Sequence, residues 1–278
     1  GFSNKFKPAV QNEADSISEP NYNIEAKKRK DLREVLTFTI DPHDAKDFDD
    51  ALSYKKLPNG NIEIGIHIAD VSHYIVPNSE LDKEAYLRGN SVYLVDRVVP
   101  MLPEKLSNKL CSLRPNEDKL TFSAVFEIDD KYQILNQWFG KTVIHSNYRF
   151  TYEQAQEIIE GKPHDICQEI NHLNKIAKHK RKERLEKGAL NIESQEVKFK
   201  LDEKGNPVDI ILKTSKEAHK LIEEFMLLAN KKVAAKIGKP EKNKRIVPFI
   251  YRIHDEPNPE KISDLKIFLQ QFDYQIIK

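Results

Sequence analysis

Hydrophobic and polar positions alternate along several stretches of this chain, and a period of two predicts β-strands. The alternation is clearest over residues 62–69, Ile-Glu-Ile-Gly-Ile-His-Ile-Ala, which follow a turn centred on Asn59-Gly60. Asn-Gly between two such runs is a strong signal for a tight β-hairpin. The predicted strands cover residues 36–41, 50–56, 62–69, parts of 91–103, 120–128, 132–144, 196–201, 207–213 and 248–251.

Other segments have the 3.6-residue period of amphipathic helices and carry capping residues at their ends. Ser79 and Thr151 are suited to be N-caps, and glycines follow several predicted C-termini. The predicted helices cover residues 80–88, 151–160, 165–187, 215–237 and 261–272. The pattern therefore predicts an α+β fold, in which antiparallel β-hairpins forming a sheet pack against several helices.

Residues 1–30 differ from the rest because they are polar and mostly without period. They end in the basic run Lys27-Lys-Arg-Lys30. We interpret 1–30 as a linker or N-terminal arm that lies over a surface, although a solvated charge run fits the composition equally well. Ordered patterning begins after residue 30.

The composition limits the class of protein without defining its function. The chain has 278 residues, a formal net charge of +1, 13 Phe and 10 Tyr, which argues against disorder and against an overall basic surface for nucleic acid. Cys111 and Cys167 show neither metal spacing nor a disulfide framework, which is typical of a reducing compartment. We find no long apolar span or lipidation motif, and expect a cytoplasmic protein with no membrane partner.

The candidate chemistry lies in the loop Asp41-Pro-His-Asp-Ala-Lys-Asp-Phe-Asp-Asp50, which has five aspartates in ten residues. Carboxylates at this density repel one another unless a positive group lies among them. Oxygen ligands that converge from a loop between strands favour a hard cation, above all Mg²⁺ or Mn²⁺, which neutralises the charges and can bind phosphate. The 62–69 strand should also bring Asp70 towards the cluster.

Two other interpretations of this loop are weaker. A calcium-binding EF-hand needs Gly at its sixth position and Glu at its twelfth, but these positions hold Lys46 and Leu52 when the loop is counted from Asp41. A solvated acidic loop is less favoured because Phe48 and the apolar flanks draw the segment towards the core, where unpaired carboxylates are costly.

The same stretch closely resembles the signature of the RNB-type exoribonuclease family, which includes ribonuclease II and ribonuclease R. Further blocks occur in the family's order and are more similar to ribonuclease R. The blocks that carry the resemblance are Thr39–Leu52 (TIDPHDAKDFDDAL), IHIADVSHY at 66–74, RGNSVY at 88–93, PMLPEKLSNKLCSLRP at 100–115, RFTY at 149–152, HKLIEEFM at 219–226 and YRIHDEP at 251–257.

The resemblance implies a processive, hydrolytic exoribonuclease that starts at the 3′ end of single-stranded RNA and releases nucleoside 5′-monophosphates. It implies Mg²⁺ ligands at Asp41, Asp47 and Asp50, an aspartate required for turnover at Asp49, and RNA contacts from Tyr93, Phe199 and Arg252. Asp44 is not part of the family's pattern. Tyr93 and Phe199 would stack on bases, although each also fits a half-buried strand aromatic.

The family's catalytic domain continues beyond the last matching block, with further active-site arginines and a glutamate. The resemblance therefore implies that residues 31–278 form a partial RNB catalytic domain, truncated at its C-terminus, and that this fragment alone is inactive. We expect a monomer. Two alternatives stay open: a non-catalytic RNB-like RNA-binding module, and a metal-dependent phosphohydrolase with another substrate.

Overall fold

The structure is a computed structural model that describes residues 3–190, 196–202, 205–238, 247–251, 253 and 255–274. The chain divides into two compact units, Gly1–Val233 and Ala234–Lys278. The first unit contains the sheets and most of the helices. In the second, the helix Pro259–Gln270 begins at Asn258, whose side chain accepts hydrogen bonds from the main chain of the first turn.

The described residues form these elements, numbered in chain order. The strands are β1 (Lys30–Leu32), β2 (Leu36–Asp41), β3 (Asp50–Lys56), β4 (Ile62–Ala69), β5 (Val92–Tyr93), β6 (Val98–Val99), β7 (Asp118–Ile128), β8 (Ile134–His145), β9 (Tyr148–Thr151), β10 (Glu196–Leu201) and β11 (Pro207–Lys213). The helices are α1 (Pro8–Ser16), α2 (Tyr22–Ala26), α3 (Glu80–Arg88), α4 (Tyr152–Ile159), α5 (Cys167–Glu186), α6 (Glu217–Gly238) and α7 (Pro259–Gln270).

Seven of these strands form the main sheet, in the order β1-β8-β7-β4-β3-β2-β9. Its centre is antiparallel: β3 and β4 form the hairpin predicted around Asn59-Gly60, where Gly60 adopts a φ of 86°. The two edges are parallel pairings, β1 with β8 and β9 with β2. The predicted α+β class is confirmed, and the parallel edges are an addition to the hairpins.

Each face of the sheet has its own hydrophobic core, because side chains alternate between faces along a strand. On one face Leu52, Ile66 and Phe126 pack with the buried sides of α4, α5 and α6. On the other, Ala51 and Val125 pack with residues from α1, α3 and the segment around 102–113. Helices and loops therefore pack against both faces of the sheet.

Besides the edge strands β1 and β9, which were not predicted, the structure differs from the predicted elements at residues 247–251 and in the N-terminal segment. Residues 247–251 form no strand. The segment interpreted as a polar arm contains α1 and α2, and Val10 and Ala14 of α1 are fully buried in the second core. These two apolar residues lie one helical turn apart within a polar segment, which is too few to produce a visible 3.6-residue period.

Candidate active site

The loop that joins β2 to β3 carries the aspartates singled out from the sequence. Asp41 is the last residue of β2 and Asp50 is the first residue of β3, so both are held by the sheet. Asp47 and Asp49 lie on the loop between them, and Asp44 is exposed near a turn in which the Ala45 N–H donates to the carbonyl oxygen of Pro42. The β2–β3 hairpin therefore holds the candidate carboxylates at one end of the sheet.

Arg149 on β9 anchors the first half of this loop. Its Nη2 donates hydrogen bonds to the carbonyl oxygens of Pro42 and His43, at 2.7 and 3.0 Å. The guanidinium also lies over the ring of Phe48, 5.4 Å from its centroid. The edge pairing of β9 with β2 places Arg149 there, and the sequence interpretation gave this residue no role.

Ser112 anchors the second half. Its Oγ accepts a hydrogen bond from the Phe48 N–H at 2.9 Å and donates one to the carbonyl oxygen of Lys46 at 3.0 Å. The N–H of Leu113 donates to the carbonyl oxygen of Phe48 at 2.8 Å. The backbone on either side of Asp47 and Asp49 is thereby fixed, because its polar groups are bonded within the protein.

Burial and mutual repulsion raise the pKa values of three of the carboxyl groups. For Asp41, burial first and then the charges of Asp50 and Asp49 raise the pKa to about 7, although the charge of Arg149 opposes this. Burial and the charge of Asp49 raise the pKa of Asp50 to about 6. Asp49 is exposed on its solvent side. Burial of its carboxyl group by the surrounding protein, and then the charge of Asp47, nevertheless raise its pKa.

Two tyrosines border the carboxylates. Tyr93 on β5 is 68% exposed, and its hydroxyl donates to Oδ2 of Asp47 at 3.3 Å. Tyr152, the first residue of α4, stacks on the ring of His219 with the centroids 4.0 Å apart. Burial and the nearby charges of Asp50 and Asp41 raise the pKa of Tyr152 to about 12. The structure thus brings Tyr93 to the cluster and adds Tyr152, which the sequence interpretation left without a role.

Asp70 lies beside the loop but does not join the carboxylate cluster. The N–H of the preceding Ala69 donates to the carbonyl oxygen of Asp49, as the hairpin geometry predicted. The Asp70 carboxylate instead pairs with Arg29 at 2.7 Å and Lys141 at 3.1 Å. Although burial opposes it, hydrogen bonding from Arg29, Ser72 and Lys141 holds the pKa of Asp70 below its usual range.

The other two candidate RNA contacts are Phe199 and Arg252. Phe199 lies on the separate β10–β11 hairpin, where it is opposite Ile210 and 40% exposed. Arg252 is outside the described residues. The roles of both residues, like those of the aspartates, stay predictions.

The donor set of the loop fits a hard divalent cation. Carboxylate oxygens are the ligands that Mg²⁺ and Mn²⁺ prefer, and Oδ2 of Asp41 is buried with no hydrogen-bond partner. Within the described part of the chain, no three His, Cys, Asp or Glu side chains are close enough together to form a complete metal site. The loop therefore presents suitable ligands that have not converged around an ion.

Comparison with known proteins identifies the family. The RNB domain matches residues 29–278, so the chain belongs to the RNB domain family of exoribonucleases. It is 44% identical to "Ribonuclease R" of Thermotoga maritima over 272 residues, which cover 96% of this chain and 38% of that protein. It is 43% identical to "DIS3-like exonuclease 2" of Schizosaccharomyces pombe over 266 residues, 90% of this chain and 28% of that protein.

Solved structures show the same fold. The structure titled as Mycoplasma genitalium RNase R in complex with double-stranded RNA matches with a TM-score of 0.86 and 29% identity, covering 97% of this chain and 48% of that chain. The chain spans 28–40% of the length of four of the curated relatives it matches. The expected likeness to ribonuclease R is confirmed.

Family membership alone does not establish activity. The "Inactive exonuclease DIS3L2" of Arabidopsis thaliana is 37% identical over 260 residues, 88% of this chain and 24% of that protein. The residues at the site must therefore carry the functional argument.

Proposed function

We propose that this chain supplies the acidic part of the catalytic centre of a Mg²⁺-dependent exoribonuclease. That enzyme hydrolyses single-stranded and structured RNA processively from the 3′ end and releases nucleoside 5′-monophosphates. The observation that carries the proposal is the anchored loop between β2 and β3, where burial first and then the charges of neighbouring aspartates raise the pKa values of Asp41, Asp49 and Asp50. Such crowding is costly for stability alone and fits a cation-binding site.

The side chains of the loop have different roles in this proposal. Asp41, Asp47 and Asp50 hold Mg²⁺, for which Mn²⁺ could substitute, and Asp49 orients the attacking water for turnover. When bound, the metal neutralises the charge that develops on the phosphoryl oxygens and favours ionisation of the water. Arg149 and Ser112 keep the loop backbone in place, so that the carboxylates are preorganised for the reaction.

The RNA strand is held by stacking and by charge. Tyr93 stacks on the terminal base and is positioned by its hydrogen bond to Asp47. Phe199 stacks on a second base, and Arg252 contacts a backbone phosphate. Stacking does not depend on base identity, which suits an enzyme that degrades RNA of any sequence. Because the chain spans less than half of its relatives, this activity is proposed for a protein of their full length, and little or no activity is proposed for the 278 residues alone.

A non-catalytic RNA-binding module is the second candidate, and the inactive relative from Arabidopsis thaliana favours it. Against it, all four aspartates of the family pattern are present in this chain. A metal-dependent phosphohydrolase with a different substrate would share the carboxylates but would not require exposed aromatic side chains beside them.

Degradation of a 5′-labelled single-stranded RNA by the full-length protein, with Mg²⁺ or with EDTA, separates these functions. We expect stepwise shortening from the 3′ end with Mg²⁺, release of 5′-monophosphates, and no cleavage with EDTA. The Asp49→Asn variant should bind RNA but not shorten it. The matched Asp44→Asn variant, in the same loop but outside the family pattern, should keep activity.

Three outcomes would contradict the proposal. RNA that is bound but stays intact with the wild-type protein would support the binding module. RNA that is neither bound nor cleaved, while other phosphate esters are hydrolysed, would support the phosphohydrolase. Strong cleavage by the isolated 278-residue chain would show that the acidic part of the site is sufficient.

A further inference from the structure

Two central strands of the main sheet each expose one large apolar side chain at the end nearest the aspartate loop. Ile68 is 43% exposed, whereas Ile62, Ile64 and Ile66 on the same strand are buried. Phe122 is 51% exposed, and its neighbours on β7 are buried. Apolar residues at the centre of a sheet are normally covered by other side chains. The exposure of this pair therefore indicates a surface that binds another group.

The strand register places this pair beside a candidate catalytic carboxylate. Asp50 on β3 is opposite Ile68 on β4, Ile68 is opposite Phe122 on β7, and Phe122 is opposite Lys141 on β8. Residues directly opposite in antiparallel strands lie on the same face. Neighbouring strands are about 4.8 Å apart, so the backbone of Phe122 lies roughly 10 Å from that of Asp50.

The helices that cover this face of the sheet do not extend over Ile68 and Phe122. Ile66 and Ala124, the next opposite pair on the same face away from the aspartate loop, are buried in the core that α4, α5 and α6 help to form. Ile68 and Phe122 lie two residues nearer to the aspartate loop along their strands, and their side chains are exposed. We call Ile68 and Phe122 the apolar ledge. It extends from the carboxylates along the surface of the sheet.

The charged side chains beyond the ledge, on the side away from Asp50, have a small net positive charge. Lys141 and Arg29 both pair with Asp70, while Lys28 and Arg29 pair with Glu25. Three cations therefore face two carboxylates, which leaves a net charge of +1 in this group. The side chain of Lys141 is 44% exposed, so its ammonium can also meet an anion from solvent.

We propose that the apolar ledge is a further RNA subsite, where a nucleotide close to the bond being cleaved packs its base on Phe122 and Ile68 while its phosphate lies towards Lys141. An exposed aromatic ring, an apolar neighbour and a cation beyond them are the elements with which proteins hold single-stranded nucleic acid. The ledge adjoins Asp50 through the register, so one strand can contact both. This inference rests on the proposed exoribonuclease function and adds a contact to the same site.

The test uses the full-length protein carrying Asp49→Asn, so that bound RNA stays intact. Phe122→Ala should weaken binding of a single-stranded oligonucleotide about tenfold, as expected when a stacking aromatic is lost. Phe122→Trp should retain the affinity. The matched control is Leu135→Ala, because Leu135 is 58% exposed on the same sheet, near the β7–β8 turn at the opposite end from Asp50.

A second measurement locates the contact directly. Oligonucleotides with 4-thiouridine at one of the last six positions are irradiated in the complex, and cross-linked peptides are identified by mass spectrometry. We expect the peptide that contains Phe122 to be cross-linked from one or two adjacent positions, and the peptide that contains Leu135 not to be.

The possible failures can be told apart. If the Asp49→Asn protein binds no RNA and the wild-type protein degrades none, the proposed function itself is wrong. If RNA is bound and degraded but Phe122→Ala changes neither affinity nor cross-linking, the ledge is not an RNA subsite. If that variant keeps its affinity but loses thermal stability, the ledge is covered by another part of the protein, and the inference is overturned.

Discussion

The hydroxyl group of Tyr93 donates a hydrogen bond to Oδ2 of Asp47 across 46 residues of chain. The aromatic ring next to it remains mostly exposed. One side chain thus contacts a candidate metal ligand through its hydroxyl and offers a stacking surface through its ring. Substitutions can separate the two contributions.

Tyr93→Ala should weaken RNA binding by about 1–3 kcal/mol, the usual loss when a stacked base loses its aromatic partner. Tyr93→Phe should bind almost as tightly as the wild type, because it lacks only a partly exposed hydrogen bond. Fluorescence anisotropy with the full-length Asp49→Asn protein measures both. Equal losses for the two variants would mean that the hydroxyl, and not the ring, contacts RNA.

Arg149→Met should loosen the aspartate loop, because the carbonyl oxygens of Pro42 and His43 lose their shared donor. We expect a loss of about 1–3 kcal/mol in the free energy of unfolding. Amide hydrogen exchange should become faster in residues 43–50. The control is Arg97→Met, whose arginine pairs with its exposed neighbour Asp96 and should leave stability almost unchanged. Unchanged exchange in the loop would show that Ser112 alone holds it.

Asp41→Asn should stabilise the metal-free chain at neutral pH and remove its response to Mg²⁺. The wild type buries Oδ2 of Asp41 without a hydrogen-bond partner, and a neutral amide reduces this cost of burying charge. Thermal unfolding with increasing MgCl₂ should raise the melting temperature of the wild type and of Asp44→Asn, but not of Asp41→Asn. An equal Mg²⁺ response in all three proteins would remove Asp41 from the ligand set.

Asp70→Asn should destabilise the fold by about 3–5 kcal/mol, because it leaves the buried guanidinium of Arg29 without its main counter-charge. Asp96→Asn is the exposed control and should have little effect.

The same ion pair gives stability a defined pH dependence. The pKa of Asp70 is lower in the folded state than in the unfolded state, where it is about 3.9. The unfolded state therefore binds more protons in the acid range, and the stabilisation present above about pH 4 is lost as the pH falls through the folded-state pKa. Urea unfolding between pH 2.5 and 6 should show a shallower acid dependence for Asp70→Asn than for the wild type. Parallel curves would mean that Asp70 does not contribute to acid unfolding.

The sequence predicted the centre of the fold well, because its signals there are local. β2, β3 and β4 have the predicted bounds, since alternation and an Asn-Gly turn together define a hairpin and its register. The parallel edge strands were missed for the opposite reason. β9 pairs with β2 more than 100 residues away, and such a pairing leaves no pattern in the neighbouring sequence.

The sequence likewise indicated some residues of the candidate site but not the contacts that hold them. Density and spacing identified the aspartates, and the hairpin correctly placed the backbone of Asp70 beside them. The pairing of the Asp70 carboxylate with Arg29 could not be predicted, because Arg29 lies in a basic run that also fitted a solvated surface. The roles of Arg149 and Ser112 depend on hydrogen bonds to main-chain atoms, which residue types do not reveal.

The anchoring of the loop by Arg149 has a consequence for how the protein is made. The carbonyl groups that Arg149 binds are 106 and 107 residues earlier in the chain. During synthesis on the ribosome, the β2–β3 loop emerges well before its anchor, which must first be translated and clear the exit tunnel. Every nascent chain therefore passes through a stage in which the aspartates are already outside the ribosome but not yet held in place, so the loop does not reach its final geometry until Arg149 has been made.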